Sequence, residues 1–140
     1  MTELPAEIAA GAIFQGNEYA WPVFLLLETL HRAEAIGYAC LGGQFQFRTV
    51  QGISEMYWLN ADASDRSHEE SWQDYCRRSC LEVSQRFREI MSATDFKLEA
   101  RRWPALSEQV KADFDPLSGL VFVAYFVQES ESAAMRKGES

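Results

Sequence analysis

Catalytic punctuation is scarce in this chain of 140 residues. It has two histidines, His31 and His68, and three cysteines, Cys40, Cys76 and Cys80, with no CxxC pair among them. An odd number of cysteines without paired spacing argues against a disulfide scaffold and leads us to expect reduced thiols. No serine or cysteine sits in a GxSxG elbow. Gly37, Gly42 and Gly43 lack the spacing of a dinucleotide fingerprint, and no phosphate-loop lysine accompanies them. Apolar runs such as Val23–Leu27 fall far short of the roughly 20 residues that cross a bilayer. The opening MTELPAEIAAGA has neither the basic nor the apolar region of a secretory signal. A cytoplasmic, soluble protein is expected, with no membrane partner.

What is present is apolar mass and negative charge. The chain is 47% hydrophobic, with 9 Phe, 5 Tyr and 4 Trp, enough to bury one core without metal or disulfide staples. A single α+β domain over 1–128 is expected, followed by a disordered polar tail, 129–140. The net charge of −8 is concentrated in the first half, where arginine appears only at 32, 48 and 66. Such a field repels nucleic acid, whose binders need a basic surface, and favours a basic protein partner; its simpler role is to keep the protein dissolved.

The hydrophobic pattern gives the elements. Residues 11–15 read either as a short edge strand or as an extended lead-in. The spacing predicts a helix from Glu18 to Ile36, with Pro22 in its first turn, heavy burial over Val23–Leu27 and Gly37 as the stop. Gln44–Val50 alternates as a half-buried strand, with Gly42-Gly43 marking a bulge. A turn at Gln51-Gly52 returns the chain into Ile53–Asn60, forming an antiparallel hairpin in which Arg48 and Glu55 pair. Ser67 and Glu70 form a capping box that starts a long helix, whose buried stripe is Trp72, Cys76, Cys80, Val83, Phe87, Ile90 and Met91. Further helix follows through Phe96 and Leu98, with Pro104 opening a last helix that runs to Phe114. Leu120–Val127 is apolar throughout and reads as the central strand. The predicted fold is an antiparallel sheet, hairpin plus C-terminal central strand, packed against helices in the order α-β-β-α-α-α-β.

Three chemical constellations fail on inspection. His68, Cys76 and Cys80 have ligand-like spacing, but both cysteines lie on the apolar stripe and no fourth ligand is evident. Asn60, Asp62 and Ser64 begin like a calcium loop, yet Asp65 stands where the tight turn needs glycine and Ser71 where a bidentate glutamate is needed. Glu69 and Glu70 beside Asp65 are ordinary in an acidic chain. No cofactor, metal or catalytic residue is assigned, and the expectation is a binding protein rather than an enzyme.

Recognition is the remaining reading. Tyr57, Trp58, Asp62, Asp65, Glu69, Glu70 and Asp74 follow one another along a strand end, a loop and a helix start. Aromatic anchors ringed by acids suit a basic target, the rings giving contact area and the acids speeding encounter. The acidic α+β build, with GNEYAWP at 16–22, LGGQFQF at 41–47 and MYWLNAD at 56–62, resembles bacterial immunity-type proteins of polymorphic toxin systems. That resemblance implies stoichiometric inhibition of a cognate toxin, by covering its active site or a neighbouring surface; a monomer or homodimer is expected. Alternatives are a phage anti-defence inhibitor, and a ligand-binding domain or enzyme with a pocket between sheet and helices walled by Tyr57, Trp58 and Tyr125.

Overall fold

The computed structural model describes residues 3–49, 52–104, 106–107 and 115–132. Its centre is the apolar run near the C-terminus. Strand β5 (Leu120–Val127) lies in the middle of a five-stranded antiparallel sheet of order β1-β2-β5-β3-β4, as its unbroken apolar sequence predicts. β1 is Ile13–Gln15, β2 Glu18–Pro22, β3 Ala39–Thr49 and β4 Gly52–Asp62. The helices are α1 (Ala6–Ala9), α2 (Leu26–Ala35), α3 (Trp72–Ala93) and α4 (Phe96–Ala100), with 3-10 turns at Val23–Leu25 and Pro116–Gly119. The α+β prediction stands, and the edge-strand option for residues 11–15 is the one realised.

The predicted first helix is the main correction. Glu18–Pro22 is a strand, and α2 begins only at Leu26. Tyr19 and Trp21 send their rings into the main core, and Trp21 Nε1 donates to Ile8 O at 2.9 Å. Ala20 faces the other way, against Val121 and Val123. Pro22 fits a strand here because it pairs with Val121 on one side and lies beyond the reach of the short β1 on the other. The burial expected over Val23–Leu27 also fails at Phe24, which is 83% exposed.

The hairpin of β3 and β4 forms, with its predicted turn at Gln51 outside the described residues. A bulge does fall beside Gly42, where the β3 register against β5 shifts between Cys40 and Gly42. At Gly42, with φ of +140°, a Cβ would meet the Cα of Asp62 at 2.8 Å, so glycine is required twice over. The predicted Arg48–Glu55 pair does not form: Glu55 lies opposite Gln46, and Arg48 opposite Ile53.

One face of the sheet holds the core. Phe45 stacks on Phe87 at 5.3 Å and meets Phe122 edge-on at 5.1 Å, and Phe96 closes the cluster at 5.2 Å. These rings lie in the layer between sheet and helices. The other face has no helix among the described residues, yet Ala20, Val121 and Val123 are buried there. The sheet curls over that face. Arg48 Nη1, from β3, donates to Ile13 O of β1 at 3.1 Å, and Ile53 Cδ1 of β4 lies 4.0 Å from where a Cβ on Gly16 would stand. The two outermost strands thus approach each other above the sheet.

Helix α3 starts later than predicted. Its cap is Ser71, whose Oγ accepts from Asp74 N at 3.1 Å. Ser67 N does donate to Glu70 Oε1 at 3.2 Å, half of the predicted box, but the bond closes a turn before the helix. The predicted stripe points inward, joined by Tyr75 and Ser79. Ser79 Oγ accepts from Cys40 N at 3.1 Å, tying helix to sheet. Pro104 opens a helical turn that Ser107 N closes on Trp103 O at 2.8 Å; the predicted extension to Phe114 is outside the described residues. The first residues of the expected tail are helical instead, Glu129 reaching Arg66 at 3.3 Å, and 133–140 are outside the described residues.

Candidate functional site

The strand alternation of β4 breaks at its midpoint. Met56 pairs with Phe45 and is buried, but the neighbouring Gln44 pairs with Asn60. Tyr57, Trp58 and Leu59 are therefore extruded from the ladder on an edge strand, in a bulge that Asn60 Nδ2 closes by donating to Tyr57 O at 3.1 Å. Tyr57 is 68% exposed and Trp58 40% exposed. Their rings meet edge-on at 5.1 Å, and Trp58 lies nearly parallel to Trp103 at 6.4 Å. The Arg102 guanidinium stands 5.8 Å from the Trp58 ring centre, itself held by Glu99, whose Oε2 is 3.1 Å from Arg102 Nε. The bulge thus presents two large rings to solvent, Trp58 packed on Trp103 and under Arg102.

The acids are placed differently from one another. Asp62 ends β4, and Asp65 and Glu69 lie in the connector to α3; all three are exposed, as is Asp74 in the first turn of α3. Glu70 is committed internally. Its carboxylate accepts from Arg78 Nε at 2.7 Å and Nη2 at 2.9 Å, and this pairing holds its pKa below the usual carboxylate range. Arg78 also donates to Glu82 at 2.7 Å, to Ser64 Oγ at 2.7 Å and to Asp65 O at 3.0 Å. Arg66 stands over the Trp72 ring and donates to Glu70 O, and Trp72 Nε1 donates to Gly37 O at 2.8 Å. The connector is therefore a fixed segment carrying outward-facing acids. Among the described residues the charge over Trp58 is Arg102, and of the predicted acids the exposed ones, Asp62, Asp65, Glu69 and Asp74, lie from the end of β4 onward.

Two further polar groupings bear on chemistry. Between α2 and α3 runs a cleft of about 250 Å³ lined by Leu27, Leu30, His31, Cys80, Ser84 and Arg88, among others. Burial pushes the Cys80 thiol up to about 12 and Cys76 to about 11, and raises Cys40 further, so none supplies a thiolate near neutrality. Among the described residues no group of His, Cys, Asp and Glu is arranged to hold a metal ion. On the curled face, Arg48 is 8% exposed and Gln46 0% exposed, with Arg48 Nε donating to Gln46 Oε1 at 3.1 Å. Burial lowers the Arg48 pKa, against the opposing charges of Glu18 and Glu55. Burial and a hydrogen bond to Glu18 push the Tyr125 hydroxyl up to about 12, keeping it a donor at neutral pH.

Sequence reasoning missed Arg102 and Trp103 as backing for the bulge, and it read Gln44, Gln46 and Arg48 as a solvated strand face. Alternating polar residues do signal a polar face. The signal they lack is curvature, which here buries that face beneath a neighbouring hairpin. No helix among the described residues is long and apolar enough to cross a membrane. No family model, curated protein or solved structure matches the chain.

Proposed function

We propose that this chain is a protein-binding domain whose contact surface is centred on the β4 bulge. The reading rests on one observation: Tyr57 and Trp58 are exposed together, braced by Trp103 and Arg102, where an uninterrupted strand would have turned one of them inward. Tyr and Trp are among the side chains that dominate binding energy when a partner desolvates them. The outward acids Asp62, Asp65, Glu69 and Asp74 and the net charge of −8 favour a basic partner. Glu70 acts through the connector it holds and makes no direct contact. In its sharpest form the function is stoichiometric neutralisation of a cognate toxin in the bacterial cytoplasm, as the resemblance to immunity-type proteins implies.

The test is a tagged pull-down from the native host at low and moderate salt, run side by side with the Tyr57→Ala/Trp58→Ala double variant, followed by titration with the purified partner. A basic partner that binds at one-to-one stoichiometry, and loses at least about tenfold in affinity with the double variant, supports the reading. A partner retained equally by both proteins removes the bulge as its contact surface.

A further inference from the structure

The curled face of the sheet carries two buried donors with no acceptor. Arg48 Nε donates to Gln46 Oε1 and Nη1 to Ile13 O, each at 3.1 Å, which leaves Nη2 unpartnered. Gln46 Nε2 is unpartnered as well. In a guanidinium, Nη2 lies on the same edge as Nε, so the free arginine donor is on the edge that already faces the glutamine amide. Both side chains are more than nine-tenths buried. The large majority of buried polar groups in folded proteins are satisfied, so two adjacent orphan donors mark the place of an acceptor that the described residues do not supply.

The surroundings restrict what that acceptor belongs to. Glu55 is directly opposite Gln46 on the same face, and the charges of Glu18 and Glu55 act on Arg48 without forming an ion pair with it. Glu18 accepts from Tyr125 Oη, which fixes its carboxylate toward this face. A bare anion would gain from Arg48 and lose to two carboxylates; a bare cation would do the reverse. A molecule carrying both charges satisfies all of them. Ile13, Ile53 and Tyr125 stand half exposed around the group and add an apolar rim.

We infer that this face binds a small zwitterion, an α-amino acid with an apolar side chain, its carboxylate on Arg48 Nη2 and Gln46 Nε2 and its ammonium between Glu18 and Glu55. The site shares no residue with the proposed protein contact, so either can fail alone. Thermal-shift and calorimetric titration of the whole chain with L-leucine, L-methionine and L-phenylalanine test it, with N-acetyl-L-leucine and L-leucinamide as single-charge controls. At least one free amino acid is expected to raise the melting temperature in proportion to the logarithm of its concentration, and each control to bind at least about tenfold more weakly. Glu55→Gln, at an exposed position, is expected to weaken the amino acid about tenfold and to strengthen N-acetyl-L-leucine, whose carboxylate then meets one like charge fewer. No binding by any of the three amino acids, equal binding by N-acetyl-L-leucine, or an unaltered affinity in Glu55→Gln would each overturn the assignment. The first of these would give the two donors to buried water alone.

Discussion

Arg48 and Arg78 look alike in the sequence, each an arginine among mixed polar neighbours, and the structure gives them opposite surroundings. Arg78 finds two carboxylates and a hydroxyl and becomes the fastener of the 63–71 connector. Arg48 finds an amide and a carbonyl and keeps a free donor. The Arg78 pairing makes a pH prediction. Because the folded pKa of Glu70 is depressed, its contribution to stability is present above the ordinary carboxylate range and is lost as pH falls through the lower folded value. Arg78→Met should therefore lower the melting temperature at pH 7, and the gap to wild type should narrow as the buffer is taken toward about pH 3. A gap independent of pH would show that Arg78 acts by packing alone. The cysteines allow a second test at this scale. With all three thiols buried and their pKa values raised, the native protein should leave a thiol reagent at pH 8 unconsumed, and all three should react after unfolding. Gly43 gives a third. A Cβ there would lie 1.9 Å from Val123 O, so Gly43→Ala should cost about 1–3 kcal/mol in chemical denaturation, as overpacking does.

At the scale of elements, what was legible depended on whether one local signal stood alone. Leu120–Val127 has no competing reading and is the central strand. The α3 stripe is long enough for its period to dominate and is buried as expected, because 22 residues average over any single exception. Glu18–Pro22 carried two signals, an alternating Tyr19/Trp21 pair and a following leucine run, and the leucines pulled the predicted helix too far toward the N-terminus. Pairing of Ala20 with Val123 and Trp21 with Phe122 decides it for the strand, a contact more than a hundred residues distant that no local window contains. The cap of α3 is Ser71 and not the predicted Ser67: both serines precede acidic residues, and the Arg78 pairing holds Glu70 in a turn ahead of the helix. Ser71→Ala should cost about 1 kcal/mol and Ser67→Ala markedly less, measured by denaturant titration. The bulge in β4 was illegible for a different reason. Met56 and Trp58 are two apart and belong on one face of a regular strand, and nothing in MYWLNAD records the slip of register that separates them.

For the whole molecule, acidity and aromatic content were both readable, and their arrangement was not. The reading of aromatics ringed by acids treated neighbours in sequence as neighbours on a surface. In the structure the rings are extruded halfway along an edge strand with Arg102 against Trp58, while Asp62, Asp65 and Glu69 lie from the end of that strand onward. In the proposed function the rings supply desolvated contact and the acids long-range attraction. Truncating the rings should therefore raise the dissociation rate of a bound partner, while charge reversal at Asp62, Asp65 and Glu69 should mainly slow association and flatten its salt dependence. The measurement that bears most directly on the account is the dissociation constant of the captured partner for wild type and for Tyr57→Ala/Trp58→Ala, with the variant's melting temperature recorded beside it. Affinity should fall at least about tenfold in a variant that still melts cooperatively, its melting temperature lowered only by the few degrees that the lost Trp58–Trp103 contact costs; an unchanged affinity in a folded variant would contradict the proposed contact surface.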